Sequence, residues 1–186
     1  MVDGFVAPTT RRGIPVSAGV CRGRILVIDR DRPTVIARPI NEAEISEEVT
    51  HLERALIQTR HQILEVQRRV SEGMGAEEGS IFDAHLLVLE DRTLLDEVVR
   101  VIEEGKVNAE HAFHSVAERY AATLAAIEDD YLRERATDMR DVTSRVLNNL
   151  LGFEEDTDLR NLKEPSIIIS HDLTPSNTAQ LDKRQV

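Results

Sequence analysis

The chain of 186 residues carries six prolines, and none of them falls between residues 41 and 151. Proline removes a backbone donor and clashes with the preceding turn, so a long proline-free stretch is where long helices can form. Pro8, Pro15, Pro33 and Pro39 precede this stretch, and Pro165 and Pro175 follow it. The flanks hold β-type runs, Arg24-Ile-Leu-Val-Ile-Asp29 and Ser166-Ile-Ile-Ile-Ser170, the second reading as a short buried strand. Gly13, Gly19 and Gly23 punctuate the first flank as turns. Neither flank is long enough to bury a sheet alone. The simplest organisation is therefore an α/β domain made of residues 1–40 and 152–186, interrupted by a helical block at 41–151.

Apolar spacing inside the block has the helical period. Val49, Leu52, Leu56, Ile63, Val66 and Val70 recur at spacings of 3, 4, 7, 3 and 4. That predicts one helix of about 30 residues, broken by Gly73 and Gly75. A second segment starts near Ala76 and carries Ile81, Phe82, Leu86 and Leu89, then Leu94, Leu95, Val98, Val99 and Ile102. Glu90-Asp91 within it reads as a kink or a restart, with Thr93 as a cap, and Gly105 as the terminating glycine. Asn108 is the expected N-cap of a third segment through Phe113, Val116, Tyr120, Leu124, Ile127 and Tyr131. Leu132, Ala136, Met139, Val142, Val146 and Leu150 extend that pattern to Gly152.

Charge divides along the same boundaries. Residues 41–151 hold 24 acidic and 12 basic side chains, a net of −12, whereas the remainder holds 10 and 11, a net of +1. The acids concentrate at Glu77, Glu78, Asp83, Glu90, Asp91, Asp96 and Glu97, with Arg92 the one cation among them. Such a patch either steers a basic partner or is a solvated helix face. Net acidity argues against nucleic-acid binding, which needs a basic face to displace counterions. Lone Cys21 cannot form an internal disulfide, and no apolar run approaches the ~18 residues of a membrane span. The expected setting is the cytoplasm, without membrane or nucleic-acid partners.

Motifs for common chemistries are missing. There is no GxxxxGK loop, no GxSxG elbow and no CxxC pair. Glu48-x-x-His51 has di-iron spacing, but no second Glu-x-x-His accompanies it. His111 and His114 share a helix face without a third ligand in view, so no metal site is assigned. His85 lies one turn beyond Ile81, among Leu86, Leu87 and Val88 and near Asp83, Glu90 and Asp91. A lone histidine there is either packed structure or part of an apolar docking patch rimmed by charge.

Several stretches carry a resemblance. These are Gly13-Ile-Pro-Val-Ser-Ala-Gly-Val-Cys-Arg-Gly23, Ile81-Phe-x-x-His-x-x-x-Leu-Glu-Asp91, Asp130-Tyr-Leu-Arg-Glu-Arg-Ala-x-Asp-Met-Arg-Asp141, Arg145-Val-Leu-Asn-Asn-Leu-Leu-Gly152 and Asp172-Leu-Thr-Pro-Ser-x-Thr-Ala-Gln-Leu181. In order and without large gaps, they resemble the N-terminal half of enzyme I of the bacterial phosphoenolpyruvate:sugar phosphotransferase system. The resemblance implies a four-helix domain of helical hairpins that docks the carrier HPr, inserted in a swivelling phosphohistidine-type α/β domain truncated at its C-terminal side.

It also implies the chemistry. In the full-length enzyme, phosphoenolpyruvate phosphorylates a histidine, which passes the group to a histidine of HPr. A neutral imidazole is nucleophilic near pH 7 and its phosphorylated form remains a good leaving group. The family histidine sits in a Gly-Gly-x-Thr-Ser-His motif, and none of the six histidines here has that context. The resemblance thus implies an enzyme in full length and an inactive fragment in this chain, with the catalytic histidine beyond it. No cofactor is expected here, while Mg2+ and phosphoenolpyruvate belong to the full-length enzyme. The implied HPr contacts are Glu77, Ile81, Asp83, His85, Leu87, Val88 and Asp91. Arg135 and Thr178 are implied supporting residues, the first near the phosphotransfer path and the second beside the active histidine. Ala76 and Gly79 stand where relatives often have acids. Arg135 and Arg140 have a plainer reading too, as surface partners of Asp138 and Asp141. Two other readings of the whole are an acidic helical adaptor without phosphotransfer and a nitrogen-branch paralogue of enzyme I.

Overall fold

Asn41 sets the first helix in motion. Its Oδ1 accepts from Ala43 N at 3.0 Å while Glu44 Oε2 accepts from Asn41 N at 2.8 Å, a reciprocal capping box. The resulting turn, Glu42–Glu44, runs straight into α1, Ile45–Gly73. A computed structural model describes residues 17–28, 34–153, 162, 164–170, 173, 178 and 181. Within these, α1 is followed by α2 (Ala76–Gly79), α3 (Ile81–Leu89), α4 (Arg92–Gly105), α5 (Ala109–Ala125) and α6 (Asp130–Leu151). Strands β1 (Arg24–Ile28) and β2 (Ser166–Ser170) flank the helices and pair in parallel, Arg24 opposite Ser166 through Ile28 opposite Ser170.

The helices enclose one core. Leu52 and Ile63 of α1, Phe82 of α3, Val98 and Ile102 of α4, Phe113 and Val116 of α5, and Val142 and Val146 of α6 are all buried. Each such side chain contributes about 1.5–3 kcal/mol through removal of apolar surface from water. Buried Ala109, Ala112, Ala117 and Ala121 line α5, which makes its most extensive contact with α6. Polar cross-links fix register. Asn149 donates to Thr59 Oγ1 at 2.7 Å and exchanges hydrogen bonds with Gln62, which ties α6 to α1. Tyr120 of α5 donates to Glu97 Oε2 of α4 at 2.9 Å.

The structure alters several local expectations. The third segment is two helices, because Asp129 caps a new one by accepting from Leu132 N at 3.1 Å. Ile127 and Tyr131, counted in the apolar stripe, are exposed at this reversal. At the start of α4 the cap is Asp91, which accepts from both Thr93 N and Leu94 N, so Thr93 is the capped residue. Lys106, at φ 47°, takes the left-handed position after α4 that Gly105 was expected to serve. Asn108 does precede α5, yet the α5 donor Ala109 N is satisfied by Glu48 Oε2 of α1 at 2.8 Å. Strand β2 is half-buried, with Ile169 48% exposed, so it is not the buried strand its composition suggested. Asp29 and residues 13–16 fall outside the described residues, as do His171 and Asp172.

Residues 35–40 lie against the helices. Ile40 is buried in their core, Pro39 bridges Val107, and Asn108 N donates to Arg38 O at 3.0 Å. Arg38 also pairs with Glu48 and, at 3.6 Å, with Glu44.

Candidate functional site

Two glycines shape the approach to α3. Gly75, at φ 133°, lets the chain turn sharply between α1 and α2. Gly79 is buried where α2 meets α1, and a Cβ there would lie 1.9 Å from Ser71 Oγ and 3.2 Å from Gln67 O. An acidic side chain at 79 would have to push α2 off α1, which explains glycine at that position.

Helix α3 then presents opposite faces. Phe82, His85 and Leu89 turn inward and are buried. On the outward side Ile81 is 51% exposed and Leu87 is 70% exposed, with Val88 half-buried against the core. Acidic residues surround these apolar groups. Glu77 is exposed on α2, Asp83 accepts from Gln67 Nε2 at 2.6 Å, and Glu90 pairs with Arg60 at 2.8 Å. Asp91 is exposed as a residue although its carboxylate caps α4. The result is an apolar centre with an acidic rim, mounted on short helices that α1 holds by side-chain bonds. Such a surface suits a partner with a basic rim around an apolar patch.

His85 does not belong to that surface. Its side chain is 0% exposed, so its ring offers nothing to a partner. Its Nε2 lies 3.4 Å from Asp138 Oδ1, and Nδ1 lies 3.9 Å from Asp141 Oδ2, both on α6. Phe82 packs against the ring edge to face, with centroids 5.4 Å apart. Arg145, also buried, approaches Asp141 at 3.9 Å. This buried polar group went unread in the sequence. Its signal was the α6 row Arg135, Asp138, Asp141 and Arg145, at spacings of 3, 3 and 4.

Arg135 stands at the outer end of that row. Its Nη2 donates to the Tyr131 hydroxyl at 2.6 Å, its guanidinium lies 4.8 Å over the Tyr131 ring, and Asp138 Oδ2 is 3.7 Å from Nη1. The surface pairing expected for Arg135 with Asp138 is present, whereas Arg140 turns to Glu118 at 3.6 Å. Thr178 is exposed, and its carbonyl accepts from Leu181 N at 3.2 Å. Among the described residues, no three His, Cys, Asp or Glu side chains come together to hold a metal ion, and no helix is long and apolar enough to cross a membrane.

Known proteins share this chain's sequence pattern and fold. The family described as PEP-utilising enzyme, N-terminal, matches residues 12–135. Phosphoenolpyruvate-protein phosphotransferase of Mycoplasma capricolum is 37% identical over 175 residues, covering 94% of this chain and 30% of that protein. The protein of the same name from Haemophilus influenzae is 34% identical over 174 residues, with the same coverage of each chain. The chain thus spans about 30% of the length of these curated relatives. A solution structure of Enzyme I (nEIt) matches with a TM-score of 0.76 at 33% identity, covering 88% of this chain and 65% of that one. The N-terminal domain of Enzyme 1 - Nitrogen shares the fold, with a TM-score of 0.65 at 24% identity. With two thirds of its length matched by the family and its helical site built as described, the chain belongs to the PEP-utilising enzyme N-terminal family, as an enzyme I N-terminal region.

Proposed function

We propose that this chain is the carrier-docking part of a phosphoenolpyruvate-protein phosphotransferase, and that it binds HPr in the cytoplasm for histidine-to-histidine phosphoryl transfer in the longer enzyme of the sugar phosphotransferase system. The observation that carries the reading is the outward side of α2 and α3, where Ile81 and Leu87 stand exposed inside the rim of Glu77, Asp83 and Asp91. Val88 supports that centre from its edge. The parallel pairing of β1 with β2 across the helices supports residues 41–151 as an insert in an α/β domain made of 1–40 and 152–186.

In this reading the apolar centre provides the buried contact and the acids select a basic carrier. Arg135 supplies charge-assisted donors to a phosphoryl group on the docked carrier, and Thr178 serves the histidine that the longer enzyme provides. The chain alone takes up no phosphoryl group. No step of this reading runs through the magnesium that the resemblance implies for the longer enzyme.

Titrating HPr into the isotopically labelled chain tests the reading. Shifts should centre on Ile81, Leu87 and Val88 and weaken as salt is raised, since rim charges act through a screened field. Ile81→Ala and Leu87→Ala should each weaken binding roughly tenfold. Both side chains are more than half exposed, so folding stability should stay within about 0.5 kcal/mol. No shifts at hundreds of micromolar carrier in low salt would overturn docking. Tighter binding of a nitrogen-branch carrier would reassign the partner, and label transferred from phosphorylated carrier onto the chain would refute its inertness.

A further inference from the structure

The Asp138 carboxylate is shared between two helices. Its Oδ1 meets the His85 ring of α3 at 3.4 Å, and its Oδ2 faces Arg135 on α6 at 3.7 Å. Asp138 Oδ1, at 3.4 Å from Nε2, and Asp141 Oδ2, at 3.9 Å from Nδ1, flank the His85 ring in close contact, without the alignment of a hydrogen bond. The ring has no freedom to turn away, because it is wholly enclosed and Phe82 holds its plane. One oxygen of Asp138 is therefore lodged against a rigid wall, which leaves the other aimed at the guanidinium. Tyr131 completes the arrangement from the opposite side, with its hydroxyl accepting from Arg135 and its ring below. Arg135 is thus held between its i−4 and i+3 neighbours, and its side chain remains about one-third open to solvent.

We propose that Asp138 is a positioning residue for Arg135, anchored by the buried His85, so that the helix carrying the docking surface and the arginine share one carboxylate. A flexible guanidinium loses rotamer freedom on meeting a planar phosphoryl group, and one already held by neighbours loses less. His85 acts one layer beneath the surface formed by Ile81 and Val88, and its contact with Asp138 ties the arginine's setting to the seating of α3 on α6. The positioning itself stands on the contacts just described. Its use in phosphoryl recognition rests on the docking function proposed above.

The test uses the whole 186-residue chain and two readouts. The first is solvent exchange of the Arg135 Nη–H resonances, the nitrogens that face Asp138 and Tyr131, assigned by their loss in Arg135→Lys. Asp138→Asn and His85→Ala should each speed this exchange about two- to fivefold, the range that a partly exposed ion pair supports. His85→Gln, which keeps a polar side chain of similar reach against Asp138, should stay near the wild-type rate, and the Asp138→Asn, His85→Ala double variant should add nothing, as expected of one chain of contacts. Should His85→Ala fail to fold, Asp138→Asn and His85→Gln carry the measurement. An unchanged Arg135 signal in folded Asp138→Asn, or additive effects in the double variant, would overturn the positioning role. The second readout is affinity for HPr with and without its phosphoryl group. Asp138→Asn should weaken the phosphorylated form about two- to fivefold and leave the unphosphorylated form unaffected. Equal loss for both forms, or none for either, refutes the phosphoryl-specific role. Failure of the wild-type chain to bind HPr at all overturns the docking function, while the exchange result still decides the positioning.

Discussion

Glu48 links three parts of the molecule through one buried carboxylate. One oxygen pairs with Arg38 of the segment before α1, and the other accepts from Ala109 N at the start of α5. Helices leave their first backbone donors unsatisfied, and here a side chain from 61 positions upstream does the work that Asn108 leaves undone. Asn108 is engaged elsewhere, accepting from Arg38 N at 2.8 Å and donating to Ile36 O at 3.3 Å. Replacing Glu48 with alanine should cost about 1–3 kcal/mol in urea unfolding, because a buried donor loses its acceptor. Glu48→Gln keeps an acceptor and should lose less. The glutamate was visible in the sequence only as part of a metal-like Glu-x-x-His pair. Its real partner lies on another helix, and nothing local signals that.

Among the helices, packing at α2 and charge along α1 give separate tests. Gly79→Ala should destabilise by about 1–3 kcal/mol through overpacking against Ser71. Adding Ser71→Ala should recover part of that loss, since it removes the oxygen nearest the new methyl group. On α1, hydrogen bonds from Arg68 and Arg69 hold the Glu65 carboxyl down from 4.5 to about 2. The folded-state value is depressed, so these pairs favour the folded chain above pH 4.5, and that contribution fades as the pH falls from 4.5 through about 2. A carboxylate NMR titration should find Glu65 titrating near 2, and Arg68→Ala should move it up toward 4.5. Helix α1 itself was legible because its apolar period matches the face it buries. The boundary between α5 and α6 was not, because Ile127 and Tyr131 keep the spacing while pointing to solvent at a reversal. Periodicity records side-chain type and leaves direction unstated. For the same reason the apolar, acid-rimmed patch of α3 could be anticipated, whereas the enclosure of His85 by α6 required two helices 53 residues apart to meet.

Across the whole chain, stability is unevenly placed. Helices α1, α3, α4, α5 and α6 share a buried core, whereas the described sheet has two strands with Ile25 and Val27 both more than half exposed. A two-stranded sheet is marginal by itself. Amide exchange should therefore be slowest along α1, α5 and α6 and fastest across β1 and β2. Protection of the strands equal to that of α5 would contradict this. Charge is uneven as well, with a net of −12 over residues 41–151. Association with a basic carrier should slow steeply as salt is added, more through the on-rate than the off-rate.

The parallel register of β1 on β2 has a consequence for how the chain reaches its fold. Arg24 and Glu164 meet across 140 positions, so pairing these strands from an unfolded chain closes a loop of that length. Ring closure on that scale carries an entropic cost of about 4 kcal/mol, with little strand contact to offset it. Helices need only local contacts, and their hairpins can form in microseconds to milliseconds. The sheet should thus form last, after the body between its two halves has assembled. A core substitution such as Phe113→Ala, within the helical core, should release the strands along with the helices.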